Sequence, residues 1–174
     1  MITIVSGTNR PDSTTRAVVD IYISLLEARG LAYQVLDLAH LPNDFILSAL
    51  YHNTGKNEQF NKLSKLVASS EKFIFILPEY NGSFPGVLKA FIDGLDYPYT
   101  FKNKKAALVG ISSGMQGGLL ALSHLTDIFN YLGMHVLALK VKLAFIGKNF
   151  DGTNITNELY LELMEQQVTD FATF

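Results

Sequence analysis

Thr8, Arg10, Ser13, Thr14 and Thr15 stand together just ahead of a stretch with helical apolar spacing. A helix starting there points its free N–H groups and the positive end of its dipole back at them, and such an end accepts an anion. Hydroxyl donors and a guanidinium fork strengthen the attraction. The expected ligand is a phosphate held mostly by neutral donors. The same residues also read as an ordinary N-cap, with Ser13 or Thr14 capping and Arg10 in solvent. A second set follows a buried run: Pro78, Glu79, Tyr80 and Asn81. Tyr80 offers a flat amphipathic face, and Asn81 with the exposed backbone offers directional hydrogen bonds. That combination suits a planar heterocycle, although a plain strand-to-helix turn with Glu79 solvated is the alternative. A third set, Ser112, Ser113, Gly114 and Gly117, forms a glycine-rich turn whose amides could reach the far edge of the same ring. Taken alone, that turn is also read as merely flexible.

Other chemistries find no residues to carry them. The chain has no cysteine, which removes disulfides, thiolate catalysis and iron–sulfur clusters. His40, His52, His124 and His135 do not pair at metal-ligand spacing. There is no G-x-x-x-x-G-K-[ST] and no G-x-G-x-x-G, which disfavours a nucleotide triphosphatase and a Rossmann dinucleotide site. The net charge of −2 argues against a protein held on nucleic acid by phosphate contacts, or drawn to anionic membranes. No run is long and apolar enough to cross a bilayer, and the opening residues carry no basic segment of a signal peptide. The expected location is the cytoplasm.

The three sets must be positioned by the elements between them. The 174 residues, 48% of them hydrophobic and 17% charged, fit one globular domain over 1–174. Apolar runs at Met1–Ser6, Tyr33–Leu38, Lys72–Leu77, Lys105–Ser112 and Met134–Leu139 read as strands. Helices are expected over Ser13–Arg29, 58–70, 87–95, about 121–132 and 156–171, with a further short one near Phe45–Tyr51. The last helix is expected to face inward through Leu159, Leu163, Val168 and Phe171. This alternation specifies an α/β sandwich with a mostly parallel sheet. Five strands suit the doubly wound order 2-1-3-4-5, in which ligands sit outside the carboxyl ends of the strands. All three sets fall on that edge.

Three segments resemble the NADPH-dependent FMN reductases of the flavodoxin-like superfamily, a group with azo- and quinone-reducing members. "SGTNRPDSTTR" is similar to a phosphate loop of the form G-S-x-R-x-x-S-x-N-R. "PEYNGSFPGVLKAFIDGLD" resembles P-E-Y-N-x-S-x-P-G-x-L-K-N-x-x-D, and "SSGMQGGLLAL" resembles S-x-G-x-x-G-G. The resemblance implies a flavodoxin-like three-layer sandwich with a five-stranded parallel sheet and an FMN site. In that site Thr8, Arg10, Ser13, Thr14 and Thr15 hold the phosphate. Pro78 to Asn81, with Ser112, Ser113, Gly114 and Gly117, lie along the isoalloxazine. It implies NADPH or NADH as donor, a small-molecule electron acceptor such as a flavin, quinone or azo compound, and a homodimer or homotetramer. The flavin carries the chemistry, so no catalytic side chain is expected. Amides of the 112–118 turn would stabilise charge at the flavin's pyrimidine edge. The sequence departs from the pattern at Gly7, where relatives continue differently before the serine or threonine, at Thr15, where asparagine is common, and at Gly94, where an aromatic usually follows Asp93; the last is expected to bear on the subunit interface or substrate side. A flavodoxin-like electron carrier without its own turnover is the alternative, and a flavin-free phosphate-binding domain a third. Lys102, Lys104 and Lys105 are read as a solvated turn rather than a 2′-phosphate site.

Overall fold

The computed structural model describes all 174 residues. In chain order the elements are β1 (Ile2–Ser6), α1 (Thr14–Glu27), β2 (Tyr33–Asp37), α2 (Phe45–Ser48), α3 (Glu58–Ala68), β3 (Lys72–Pro78), α4 (Gly86–Asp93), β4 (Lys105–Ile111), α5 (Leu119–Tyr131), β5 (His135–Val136), β6 (Val141–Leu143), α6 (Ile146–Asn149) and α7 (Glu158–Thr173). The sheet runs β2-β1-β3-β4-β5, wholly parallel, so the chain has the expected flavodoxin-like order. β1 and β3 are buried along nearly their whole length, as central parallel strands must be when helices cover both faces. One face packs Val5, Phe73, Phe75 and Leu108 against α3, α4 and α5. The other packs Ile4, Ile74, Ile76 and Val109 against α1 and α7. These are the three layers.

The fifth lane differs from the single strand expected over Met134–Leu139. It is split: β5 pairs with Lys105 and Ala106, and β6 with Val109 to Ile111. Two residues of β4 separate those pairings against four in the fifth lane, 137–140, so the edge bulges. A side chain from α7 fills the broken ladder. Gln167, fully buried, donates to the carbonyls of Leu108 (3.0 Å) and Leu139 (2.9 Å) and accepts from the Tyr22 hydroxyl of α1 (2.7 Å). Because Met164 and Gln167 face inward, Leu159 is turned out, 58% exposed, contrary to the expected stripe.

At the amino edge of the sheet three lysines cap helix ends, where free carbonyls and the negative dipole end favour cations. Lys104 donates to Val67 and Ala68 at the end of α3 (3.0 and 2.7 Å). Lys72 donates to Phe171 and Ala172, and Lys105 to Phe174, at the end of α7. Lys104 and Lys105 are therefore committed structural cations rather than a solvated turn. They also lie on the edge opposite the ligand loops.

Candidate functional site

The first loop leaves β1 through Gly7, whose N–H donates to the Ile76 carbonyl of β3 at 2.8 Å. A Cβ there would sit 2.9 Å from that carbonyl oxygen, so only glycine lets the loop pass this close. Thr8 is buried, and its Oγ1 accepts from the Arg10 N–H (3.3 Å). Asp12 adopts a left-handed conformation (φ 50) that turns the chain into α1. Ser13 caps that helix, its hydroxyl accepting from the Arg16 N–H at 3.3 Å. The N–H groups of Thr14 and Thr15 find no acceptor in the chain. Arg16 is paired with Asp20 (2.7 Å), whereas Arg10 has no ion-pair partner and lines the same cleft as the start of α1. The donor set is two free amides, a threonine hydroxyl and one guanidinium. It suits a phosphate.

The second loop begins where β3 ends. The Glu79 N–H donates to the Ile111 carbonyl (2.8 Å), which extends the ladder one residue beyond Pro78. Tyr80 and Ser83 then exchange both backbone hydrogen bonds, Tyr80 N–H to Ser83 O at 2.8 Å and Ser83 N–H to Tyr80 O at 3.1 Å. Asn81 and Gly82 between them have φ of 51 and 75. This is the type I′ turn that an Asn-Gly pair favours. It turns the Tyr80 ring across the cleft, with its hydroxyl 3.1 Å from Thr8 Oγ1. Tyr80 therefore ties the second loop to the first.

The third loop is stitched to itself. Ser112 Oγ donates to the Gly114 carbonyl and accepts from the Gly117 N–H, both at 2.9 Å. Gly117 (φ 59) packs so closely on β6 that a Cβ would lie 2.8 Å from the Lys142 carbonyl carbon. The Gly114 carbonyl also accepts from Phe145 N–H at 2.9 Å.

The three loops enclose a cleft of about 270 Å³ at the carboxyl edge of the sheet. Arg10, Ser13, Thr14, Thr15, Pro78, Glu79, Tyr80, Ser112 and Ser113 line it, with Thr8 reaching its wall through Tyr80. Three expected residues are not brought to it. Asn81 sits at the tip of its turn. Gly114 and Gly117 spend their carbonyl and amide inside the third loop, and Gly117 is pressed on β6, so its amide is not free for a ligand. Asp12, Ile111 and Ile146 line the cleft without having been expected. Ile146 arrives because β6 returns the chain to the Ser112 carbonyl, where Ile146 N–H donates at 3.0 Å. Only the split fifth lane, which no sequence period announced, puts it there.

Residues 1–146 match the family model of NADPH-dependent FMN reductases. Among curated relatives, the chain is 28% identical over 134 residues to a 2-hydroxy-1,4-benzoquinone reductase of a Burkholderia species, covering 75% of this chain and 70% of that one. It is 28% identical over 171 residues to an FMN-dependent NADPH-azoreductase of Staphylococcus aureus, covering 96% and 90%. Among solved structures, a flavoenzyme NAD(P)H:(acceptor) oxidoreductase from Paracoccus denitrificans superposes with a TM-score of 0.77 at 25% identity, over 99% of this chain and 94% of that one.

Proposed function

The chain belongs to the NADPH-dependent FMN reductase family, and from that premise we propose that it is an FMN-dependent NAD(P)H oxidoreductase that reduces a quinone, azo or flavin acceptor. One observation carries the reading: Thr14 and Thr15, whose amides find no acceptor in the chain, and the unpaired Arg10 line the same cleft as Tyr80, Ser112 and Ser113. A phosphate end and a flat-ring end would thus share one concavity, as FMN requires of its host. When bound, FMN supplies two-electron carriage between the nicotinamide and the acceptor. The chain's own part is to hold and orient. Arg10, Thr14 and Thr15 would take the phosphate, with Ser13 fixing the helix end that presents those amides. Pro78, Glu79 and Tyr80 would flank the ring on one side and Ser112 and Ser113 on the other. The third loop, bonded to itself and wedged on β6, gives that side a rigid backbone at no reorganisation cost. Glu79 serves through its backbone, not as a base.

The test is the visible spectrum of the purified protein after addition of FMN, followed by anaerobic titration with NADPH and NADH. Bleaching by either nucleotide, and rapid reoxidation by a benzoquinone or an azo dye, supports the reading. Bleaching without turnover makes the protein an electron carrier. Absence of a flavin complex sinks both.

The reading extends to assembly. Between α4 and α5 lies a groove of about 640 Å³ with an apolar floor of Ile92, Leu95 and Leu132. Its rim carries the exposed, stacked Tyr97 and Tyr131, ring centres 6.2 Å apart. A second copy of the chain is the occupant that would cover it. Sedimentation should show a dimer or tetramer that Tyr131→Glu dissociates; a monomeric parent protein would refute this part alone.

A further inference from the structure

His124 lies on the exposed side of α5, and nothing in its sequence context marks it. Its Nδ1 is 2.9 Å from Ser83 Oγ. Ser83 closes the Tyr80–Ser83 turn by two backbone hydrogen bonds, and the Tyr80 hydroxyl meets Thr8, which in turn receives the Arg10 N–H. A continuous set of hydrogen bonds therefore runs from α5 through the second loop to the first. The tip of that turn is loosely packed: Asn81 and Gly82 are left-handed, and a Cβ on Gly82 would meet only Leu120, at 4.0 Å. On its α5 side the turn is fixed by Ser83 and His124.

We propose that His124, acting through Ser83, is a positioning residue for the flavin site, one that couples the ring end of the cleft to its phosphate end. The proposal rests on the FMN reading above. His124 does not touch the cleft and transfers no proton; it sets where the Tyr80–Ser83 turn stands. Loss of the imidazole frees the turn to pivot about Glu79, and Tyr80 then withdraws from Thr8. The effect appears in the fit of the flavin, not in the stability of the fold, because the pair is exposed.

The test uses the full chain with Ser83→Ala, His124→Ala, the double variant and His124→Gln, whose side-chain amide can replace the Nδ1 contact. In each, FMN affinity and the position and shape of the bound flavin's visible band are measured, with thermal unfolding as the folding control. The expected result is an affinity loss of about 3- to 10-fold in each alanine variant and a shifted flavin band. The double variant should be no worse than either single one, recovery with glutamine substantial, and the unfolding midpoint unchanged. Additive losses, or an unaltered flavin band in His124→Ala, overturn it. Amide NMR of the flavin-free protein separates this from the FMN reading itself. His124→Ala should move the signals of Tyr80 to Ser83 and also of Thr8 and Arg10. If Thr8 and Arg10 do not respond, the coupling is absent whatever the protein binds.

Discussion

At the scale of single residues, the anion end of the cleft depends on one uncommitted charge. Arg16, next along α1, is engaged by Asp20 at 2.7 Å and faces Asp37 at 3.9 Å, so it has little to offer a ligand. Arg10 has no such partner and shares the cleft with the free amides. A charged hydrogen bond of this kind contributes about 1.5–3 kcal/mol. Arg10→Ala should therefore weaken FMN binding by about 10- to 100-fold while leaving riboflavin, which lacks the phosphate, bound as before. Calorimetric titration with both compounds checks this, and equal losses for the two would show that Arg10 acts on the ring end instead. Asp12 on the same rim opposes the phosphate, so Asp12→Asn should tighten FMN, the reverse sign from the same electrostatic argument. Gly94 carries a different lesson. Its departure from the family pattern points, in sequence, to the interface or substrate side. In the structure it is the C-cap of α4 and faces inward, where a Cβ would come within 2.5 Å of Phe60. The Phe60 ring, packed on Phe45 and Phe91, fills the space that a larger residue would need. Gly94→Ala should cost about 1–3 kcal/mol through overpacking, read in urea unfolding, without touching FMN affinity.

At the scale of elements, what the sequence reveals and what it hides follow from range. β1, β3 and β4 are continuous apolar runs bounded by punctuation, and their order follows from the alternation with helices, so the carboxyl edge and its three loops can be located from the chain alone. The Asn81-Gly82 pair, read in the sequence only as part of a loop, forms a type I′ turn closed onto Ser83, which shows in the backbone angles and hydrogen bonds. The divided fifth lane is different. Nothing local marks residues 137–140 as a bulge; what permits it is Gln167, about thirty positions later, satisfying the Leu108 and Leu139 carbonyls that a continuous strand would have engaged. A buried glutamine reads in sequence as a polar interruption of an amphipathic helix, and its purpose appears only when α7 meets the sheet. That account has a measurable consequence. Gln167→Leu keeps the volume but strands the Tyr22 hydroxyl and two carbonyls, each unsatisfied group costing about 1–3 kcal/mol. The variant should lose at least about 3 kcal/mol of stability in urea. A loss below about 1 kcal/mol would mean that the ladder closes without the glutamine. Because β6 also delivers Ile146 to the cleft, FMN affinity should fall in the same variant.

At the scale of the whole molecule, the two helices α1 and α7 and the sheet meet at one buried hydroxyl, whose burial makes the fold sensitive to alkali. Tyr22 is fully buried, and burial holds its hydroxyl well above the ordinary tyrosine value. Up to pH about 10 the folded and unfolded chains both keep that proton. Above it the unfolded chain releases the proton while the folded chain does not, so the unfolded state binds fewer protons and stability falls with rising pH. The full slope for one group is about 1.4 kcal/mol per pH unit. Burial acts in the opposite sense on Lys72, Lys104 and Lys140, whose amines it pulls below the ordinary lysine value. For these the folded chain gives up protons first, and stability rises with pH until the unfolded lysines also titrate. Lys72 and Lys140 are partly exposed and Lys104 is buried against the α3 carbonyls that its amine engages, so the first two contribute only shallowly. The sum is a shallow gain that turns into a steep loss above pH about 10. Urea midpoints measured from pH 8 to 11 should trace that turn in the parent protein. Tyr22→Phe should start lower, because Gln167 loses a donor, yet keep its midpoint through the alkaline range where the parent falls. Parallel alkaline slopes in the two proteins would show that the buried tyrosine does not control the transition.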